Sequence, residues 1–557
     1  MGKRVSRLLL AVVVTGSLLV FAPISANAQL STQPFAAYGS GTAIAVNALT
    51  LGATTVADVH AAHSGGSVDS TGLTETLNDQ FGQVVQPALP NKNAYGRGAG
   101  IEVGLLLPNP QPANLNQLIL TQVAEQDAPP IVGTLVSHET PIDLAGILTV
   151  SLARGQAQAT YDPEFCPIGR PLTYGSGYVE NLSVLSGTVG TSQTGDSASE
   201  SRTVTYFVPN GDGTWGVVSE TRQIIAPISL AGTGITVDVL GPLTMKATAT
   251  GKPGDPRNGI SYPGTPTLRV SLNAIPLVDL SLQDLLGTNG LTVNLPGILL
   301  LTAGAPPTGL GGTGPPVVAG DGTVAAASVD AIRLQVLSLL GSPAIDLAVG
   351  HIEAAALAPA GGVTCRIPVK KIAVPDPVPV GTDATFVISI PSDAGLFNAL
   401  FACDLVGIKA IDTVDVASGR VTFSIVSADH GGVVNTTNNT VTWENLGNYV
   451  LGQPPIELRI VVHVNSASGD AVLRDIVDVS ATLGNCQGRA AGDDIVLGSG
   501  QITNAALTGR FVLLTPVAGG NLAATGGTAL PLVVGGALAL MALGLFRVRK
   551  LVTRRTD

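Results

Sequence analysis

Apolar residues in this chain come in short runs, alternating with polar ones or continuous, and Gly, Pro, Asn or Asp bounds most of them. Residues 146–153, 203–208, 267–272 and 458–464 are examples. Period-two alternation marks a half-buried strand, and a short continuous run marks a buried one. Apolar positions at helical spacing are scarce, and 331–340 fits helix or strand equally well. The pattern predicts a mainly β protein of two or more β-sandwich domains with few helices. Two runs break it. One is Leu8 to Ile24, and the other is Ala529 to Phe546, eighteen residues without a charge.

Eighteen helical residues span roughly 27 Å, just enough for a hydrocarbon core of about 30 Å. Arg547, Arg549, Lys550, Arg554 and Arg555 follow at once. Positive charge beside a span stays on the cytoplasmic side. The expectation is a transmembrane helix over 529–546, a cytoplasmic tail over 547–557 and an extracellular face for what precedes them. The first run follows Lys3, Arg4 and Arg7 and ends at Ala26-Asn27-Ala28. This is the layout of a signal peptide over 1–28, cleaved between Ala28 and Gln29.

Just before the second run stands Leu522-Ala523-Ala524-Thr525-Gly526. Pentapeptide, apolar run and basic tail together resemble a sortase sorting signal, in the LAxTG variant used by class E sortases of high-GC Gram-positive bacteria. The resemblance implies cleavage between Thr525 and Gly526 and covalent attachment of Thr525 to peptidoglycan. It also implies a membrane-spanning precursor and a secreted, wall-anchored product. Without the likeness, the tail reads as a permanent single-span anchor.

Removing the leader (net +3) and the segment after Thr525 (net +4) takes the formal charge from −11 to −18. An acidic surface disfavours nucleic acid, whose phosphates need Lys and Arg. Aromatic residues are 4% of the chain, so cores are expected from Val, Leu, Ile and Ala.

Two Pro/Gly-rich stretches punctuate the exported part. Residues 304–323 read as a long loop inside a first β-rich domain, 29–365. Residues 367–380 read as the start of a second domain, 366–515, with a short linker over 516–528. The second domain resembles the DUF11-type repeat of bacterial surface proteins. The likeness rests on Val369-Lys370-Lys371, on Gly381-Thr382-Asp383-Ala384-Thr385-Phe386-Val387-Ile388 and on Val441-Thr442-Trp443. The stretch from Leu396 to Asp404 departs from the pattern, as does the last strand. The likeness implies an immunoglobulin-like sandwich used as spacer or interaction module. The first domain resembles actinobacterial surface proteins of the choice-of-anchor layout, through residues 37–43 and 348–354. Surface sandwiches of this kind can carry an internal isopeptide bond from a first-strand lysine to a late Asn or Asp, with a buried carboxyl moving the proton. Lys370 or Lys371, Asp475 or Asp478, and Glu444 are the candidates; otherwise they are solvated charges.

Four cysteines in an exported chain should be paired. Three connectivities are possible, and domain logic favours Cys166 with Cys365 and Cys403 with Cys486. No nucleophile elbow, zinc-protease helix or phosphate loop is present. A dinucleotide-like GxGxxG at 309–314 has no strand before it and no helix after it. His60 and His63 with Asp58 form a weak metal candidate on a helix turn, against an exposed polar turn. The expectation is a non-enzyme without metal or other cofactor, an adhesin or envelope component. Its partners are a sortase, peptidoglycan and an unknown surface ligand. The alternatives are a sortase-assembled pilus subunit, through a faint pilin-like Pro90-Asn91-Lys92-Asn93, or a wall-bound hydrolase with carboxylates near Asp162 and Glu164.

Overall fold

The computed structural model describes residues 34–51, 54–104, 121–130, 133–144, 148–184, 187, 189–195, 198–230, 233–281, 291–295, 299–303, 307–337, 343–486 and 502–518. The leader and its Ala28–Gln29 junction, the Leu522–Gly526 motif, the apolar run 529–546 and the basic tail lie outside the described residues. Among the described residues no helix is long and apolar enough to cross a membrane.

The protein is mainly β, built from several sheets. Before Cys365 there are two large ones. In the first, Ala36–Leu51 lies between Thr54–Asp69 and Pro343–Leu357, all antiparallel. Ala94–Gly104 continues it on one side and Val324–Leu337 on the other. The ambiguous stretch from Ala331 thus begins inside a strand. In the second sheet, Leu148–Ala159, Thr173–Glu180, Ser199–Pro209 and Thr214–Ile224 are consecutive neighbours. The two sheets pack face to face through these central strands.

Their contact is built differently from the expected Val/Leu/Ile/Ala core. Glycines repeat at period two on the facing surfaces, so the backbones approach very closely. A Cβ on Gly175 would collide with the carbonyl oxygens of Arg97 and Gly65, and one on Gly177 with those of Ala99 and His63. Hydroxyls fill the rest of the seam. Ser64 Oγ lies 2.8 Å from both Ser201 Oγ and Thr203 Oγ1. Thr203 meets Thr221 at 3.0 Å, and Thr173 meets Thr205 at 2.7 Å. Buried hydroxyls need such partners, since each left unpaired costs about 1–3 kcal/mol. Aliphatic side chains are larger than this gap allows; they form the core around it, with Ile44, Val59, Ile101, Val217 and Leu347 among the buried residues.

From Lys370 onward the chain makes a separate eight-stranded sheet. Two long strands dominate it, Asp404–Ala428 and Ile456–Gly484. They pair antiparallel along their length, with register shifts around Val416 to Arg420. The first half of Ile456–Gly484 also pairs Asp383–Ile390, and the second half pairs Ala506–Ala518. Lys370–Val374 joins beside Asp383–Ile390.

The segment that departs from the DUF11 pattern is where this region meets the two-sheet region. There Ala394–Leu400 is a helix, because the Asp393 carboxylate caps it by accepting from Leu396 N at 2.7 Å. Phe397 stacks on Phe401, and Arg170 from the other region donates to Asn398 O at 2.7 Å. Both disulfides have the favoured pairing, Cys166–Cys365 and Cys403–Cys486.

Two outcomes test these points. Gly177→Ala is expected to lower stability by about 3 kcal/mol or more in a denaturant titration. Gly320→Ala, where an added Cβ meets open space, is expected to change nothing measurable. Replacing the Cys403–Cys486 pair by alanines is expected to cost about 4–5 kcal/mol on the loop-entropy account, read as a lowered urea midpoint.

Candidate functional site

Two clusters of buried ionisable groups stand out among the described residues. The first sits inside the C-terminal region. Successive strand side chains point to opposite faces, so Lys370 faces solvent and Lys371 faces inward, with 0% of its side chain exposed. On Asp404–Ala428 the inward positions are Ile408, Ala410, Asp412 and Val414. On Ile456–Gly484 they include Leu473, Asp475 and Val477. Register places Asp412 opposite Val477 and Asp475 opposite Val414, so the two carboxyls are diagonal neighbours on paired strands.

Lys371 Nζ donates to Asp412 Oδ2 and lies 2.5 Å from Asp475 Oδ2. The Phe386 ring covers the amine, with its centroid 5.4 Å away. All three side chains are shut off from water. Asp475 Oδ2 is met by the Lys371 amine, while Asp412 Oδ1 and Asp475 Oδ1 have no protein donor. Burial, and then the adjacent Asp475 charge, push the Asp412 carboxyl well above the usual carboxylate range; Lys371 offsets this only in part.

The other sequence candidates lie elsewhere. Asp478, three residues from Asp475, falls on the outer face, where it pairs with Arg510 at 3.5 Å. Glu444 is 76% exposed and pairs with Lys409 at 3.2 Å. Neither Lys370 nor Glu444 reaches the buried cluster; Asp412, absent from the sequence candidates, holds the third place. Its signal was an acidic residue in phase with Ile408, Ala410 and Val414.

The second cluster lies on the first sheet, on the face turned away from the second. Thr42 is in register with both His63 and His351, and His351 with Asp330. The loop between Leu77 and Gln86 roofs this row. The Gln80 side chain donates to Asp330 at 2.7 Å, and Asp79 Oδ1 ties the loop by accepting from Phe81 N and Gln83 N. His351 Nδ1 lies 2.8 Å from Asp330, and its Nε2 is 3.5 Å from Glu353. Glu353 also accepts from Tyr38 Oη at 2.9 Å and from Gly311 N at 3.2 Å. The dinucleotide-like stretch 309–314 thus serves as a lid on a buried carboxylate.

Burial works against charge on His351, but the hydrogen bonds to Asp330 and Glu353 outweigh it and push its pKa up to about 10. For His63 burial wins, and its pKa falls below the ordinary value. His60 and His63 are on a strand and buried, in place of the expected helix turn or exposed polar turn. No group of three or more His, Cys, Asp or Glu among the described residues is placed to hold a metal ion. Lys92 of the pilin-like stretch pairs with Asp127 at 2.7 Å and donates to Pro129 O. Asp162 accepts from Glu164 N and Phe165 N, as a turn residue does.

The sign of the His351 effect is fixed by its raised pKa. Its stabilising charge is fully present below the ordinary value of 6.5 and is lost as pH rises through about 10. The unfolding free energy from denaturant titration is expected to fall between about pH 7 and pH 10, by a few kcal/mol at most. In His351→Gln that decline is expected to shrink, with a lower starting stability.

No family model matches this chain, and no curated protein matches it. Among solved structures, the N-terminal domain of the Streptococcus gordonii adhesin Sgo0707 aligns over 86% of this chain and 89% of that one. The identity is 10% and the TM-score 0.18, a likeness that carries no argument about function.

Proposed function

We propose that this chain is a non-catalytic exported protein of the bacterial surface, an adhesin or envelope component. In this reading a class E-like sortase cleaves between Thr525 and Gly526 and joins Thr525 to peptidoglycan. The observation that carries it is the order of three sequence features: Leu522-Ala523-Ala524-Thr525-Gly526, an uncharged apolar run over 529–546, and a basic end. The signal-peptide layout over 1–28 fits export. Two disulfides using all four cysteines support an oxidising compartment. The C-terminal region would then serve as an immunoglobulin-like spacer between the wall and the two-sheet region. A surface ligand would engage the latter.

The test is mass spectrometry of protein released from the wall of cells with and without their sortase. The expected result is a C-terminal peptide ending at Thr525 and bearing a peptidoglycan fragment, absent without the enzyme. An intact end at Asp557 in the membrane fraction would overturn the anchoring and leave a single-span membrane protein.

A further inference from the structure

We propose that the outer face of the C-terminal sheet carries a binding cleft for a carboxylated sugar, with Arg366 taking the carboxylate. This site goes beyond a spacer role and does not depend on how the chain is anchored.

The cleft encloses about 440 Å³, within the range of small-molecule sites. Its floor follows from register. Thr440–Trp443 pairs Asp404–Ala428 on the side away from Ile456–Gly484. Thr442, Ile411, Asp478 and Arg510 therefore form one row across four strands. Lys409, Ser480 and Thr508 form the next row, with Glu444 beside Lys409. A parallel bridge sets Arg366 beside Thr508 and closes the far end. Four neighbouring strands span about 14 Å.

Three observations point to a ligand. Arg366 lines the cleft half-buried, and among the described residues its side chain has no hydrogen-bond or ion-pair partner. Its guanidinium is a planar fork of donors that matches a carboxylate. The neighbouring charges are loosely held. Lys409 pairs Glu444 at 3.2 Å and Arg510 pairs Asp478 at 3.5 Å, with all four side chains more than half exposed. Such pairs contribute little in water, so a ligand can redirect them at small cost. Finally, the hydroxyls of Thr442, Ser480 and Thr508 make no side-chain hydrogen bond within the described residues.

These groups together select the ligand class. Glu444 and Asp478 only accept, so they suit hydroxyl donors, and Ser480 and Thr508 both give and accept. Ile411, 48% exposed, offers aliphatic surface to the C–H face of a sugar ring. A ligand with one carboxylate and several hydroxyls uses the whole set. A phosphate polymer would meet the two carboxylates as repulsion, in a chain already at −11. An extended peptide finds no open strand edge on the floor, because Asp404–Ala428 and Ile456–Gly484 are paired on both sides here.

The experiment is titration of the full chain, purified from its producing cells, with glucuronate, glucose, acetate and inorganic phosphate, read by calorimetry and saturation-transfer NMR. Glucuronate is expected to bind saturably, with a dissociation constant on the order of 1 mM, and more weakly as salt rises. Glucose lacks the charge and acetate lacks the ring, so each is expected to bind at least about tenfold more weakly. Arg366→Gln is expected to weaken glucuronate by about tenfold or more. Arg510→Gln, at an exposed position, is expected to weaken it by about threefold. Arg459→Gln, also exposed and outside the cleft, is expected to bind as the unaltered chain does. No saturable binding of glucuronate up to about 50 mM would overturn the proposal. So would unchanged binding in both cleft variants. Acetate or phosphate binding as tightly as glucuronate would overturn the sugar assignment and leave a plain anion site.

Discussion

The distance between the two sheets of the N-terminal region constrains much else in this protein. Where strands such as Ala94–Gly104 and Thr173–Glu180 face each other, glycines meet backbone so closely that not even a Cβ fits, and Ser and Thr fill the positions beside them. Such a seam gains little from apolar area. It holds through shared hydroxyl bonds and through the close-packed contact of backbone on backbone. Hydrophobic residues are displaced to its margins, and a polar row including Thr42, His63 and His351 occupies the opposite face of the first sheet under its own loop.

Buried charge is used in two different ways. Around His351 a network of hydrogen bonds through Asp330 and Gln80 fastens a loop onto a sheet. Around Lys371 a single buried amine is shared by two buried carboxyls. A fold that needed only stability could fill the second position with apolar side chains at no loss.

Much of the architecture was legible in the chain. Period-two runs gave strands, and the grouping of cysteines gave both disulfides. Two things were not. The glycine and hydroxyl seam is written in residues such as Gly175-Ser176-Gly177, which also suit turns; only a facing sheet distinguishes the two uses. The phase of Lys370–Val374 was also obscured. Ile372 and Val374 point outward while Lys371 and Ala373 point inward, the reverse of what hydrophobicity suggests. Alternation could say that one lysine of the pair faces in. It could not say which, nor that Asp412, distant in sequence, would meet it.

The two disulfides also define a mechanical path. A pull applied between the strand ending at Ala518 and the one beginning at Ala36 runs along the backbone to Cys486, crosses to Cys403, continues to Cys365 and crosses again to Cys166. The segments between bridged cysteines, with sequence separations of 83 and 199, lie off that line. They include both long strands of the C-terminal region and much of the second sheet. However far the chain is drawn out, those residues add no length to the tether while the bridges hold. A molecule stretched between fixed points could lengthen only through the stretches outside the two bridged segments, and the strands inside those segments would be spared direct load.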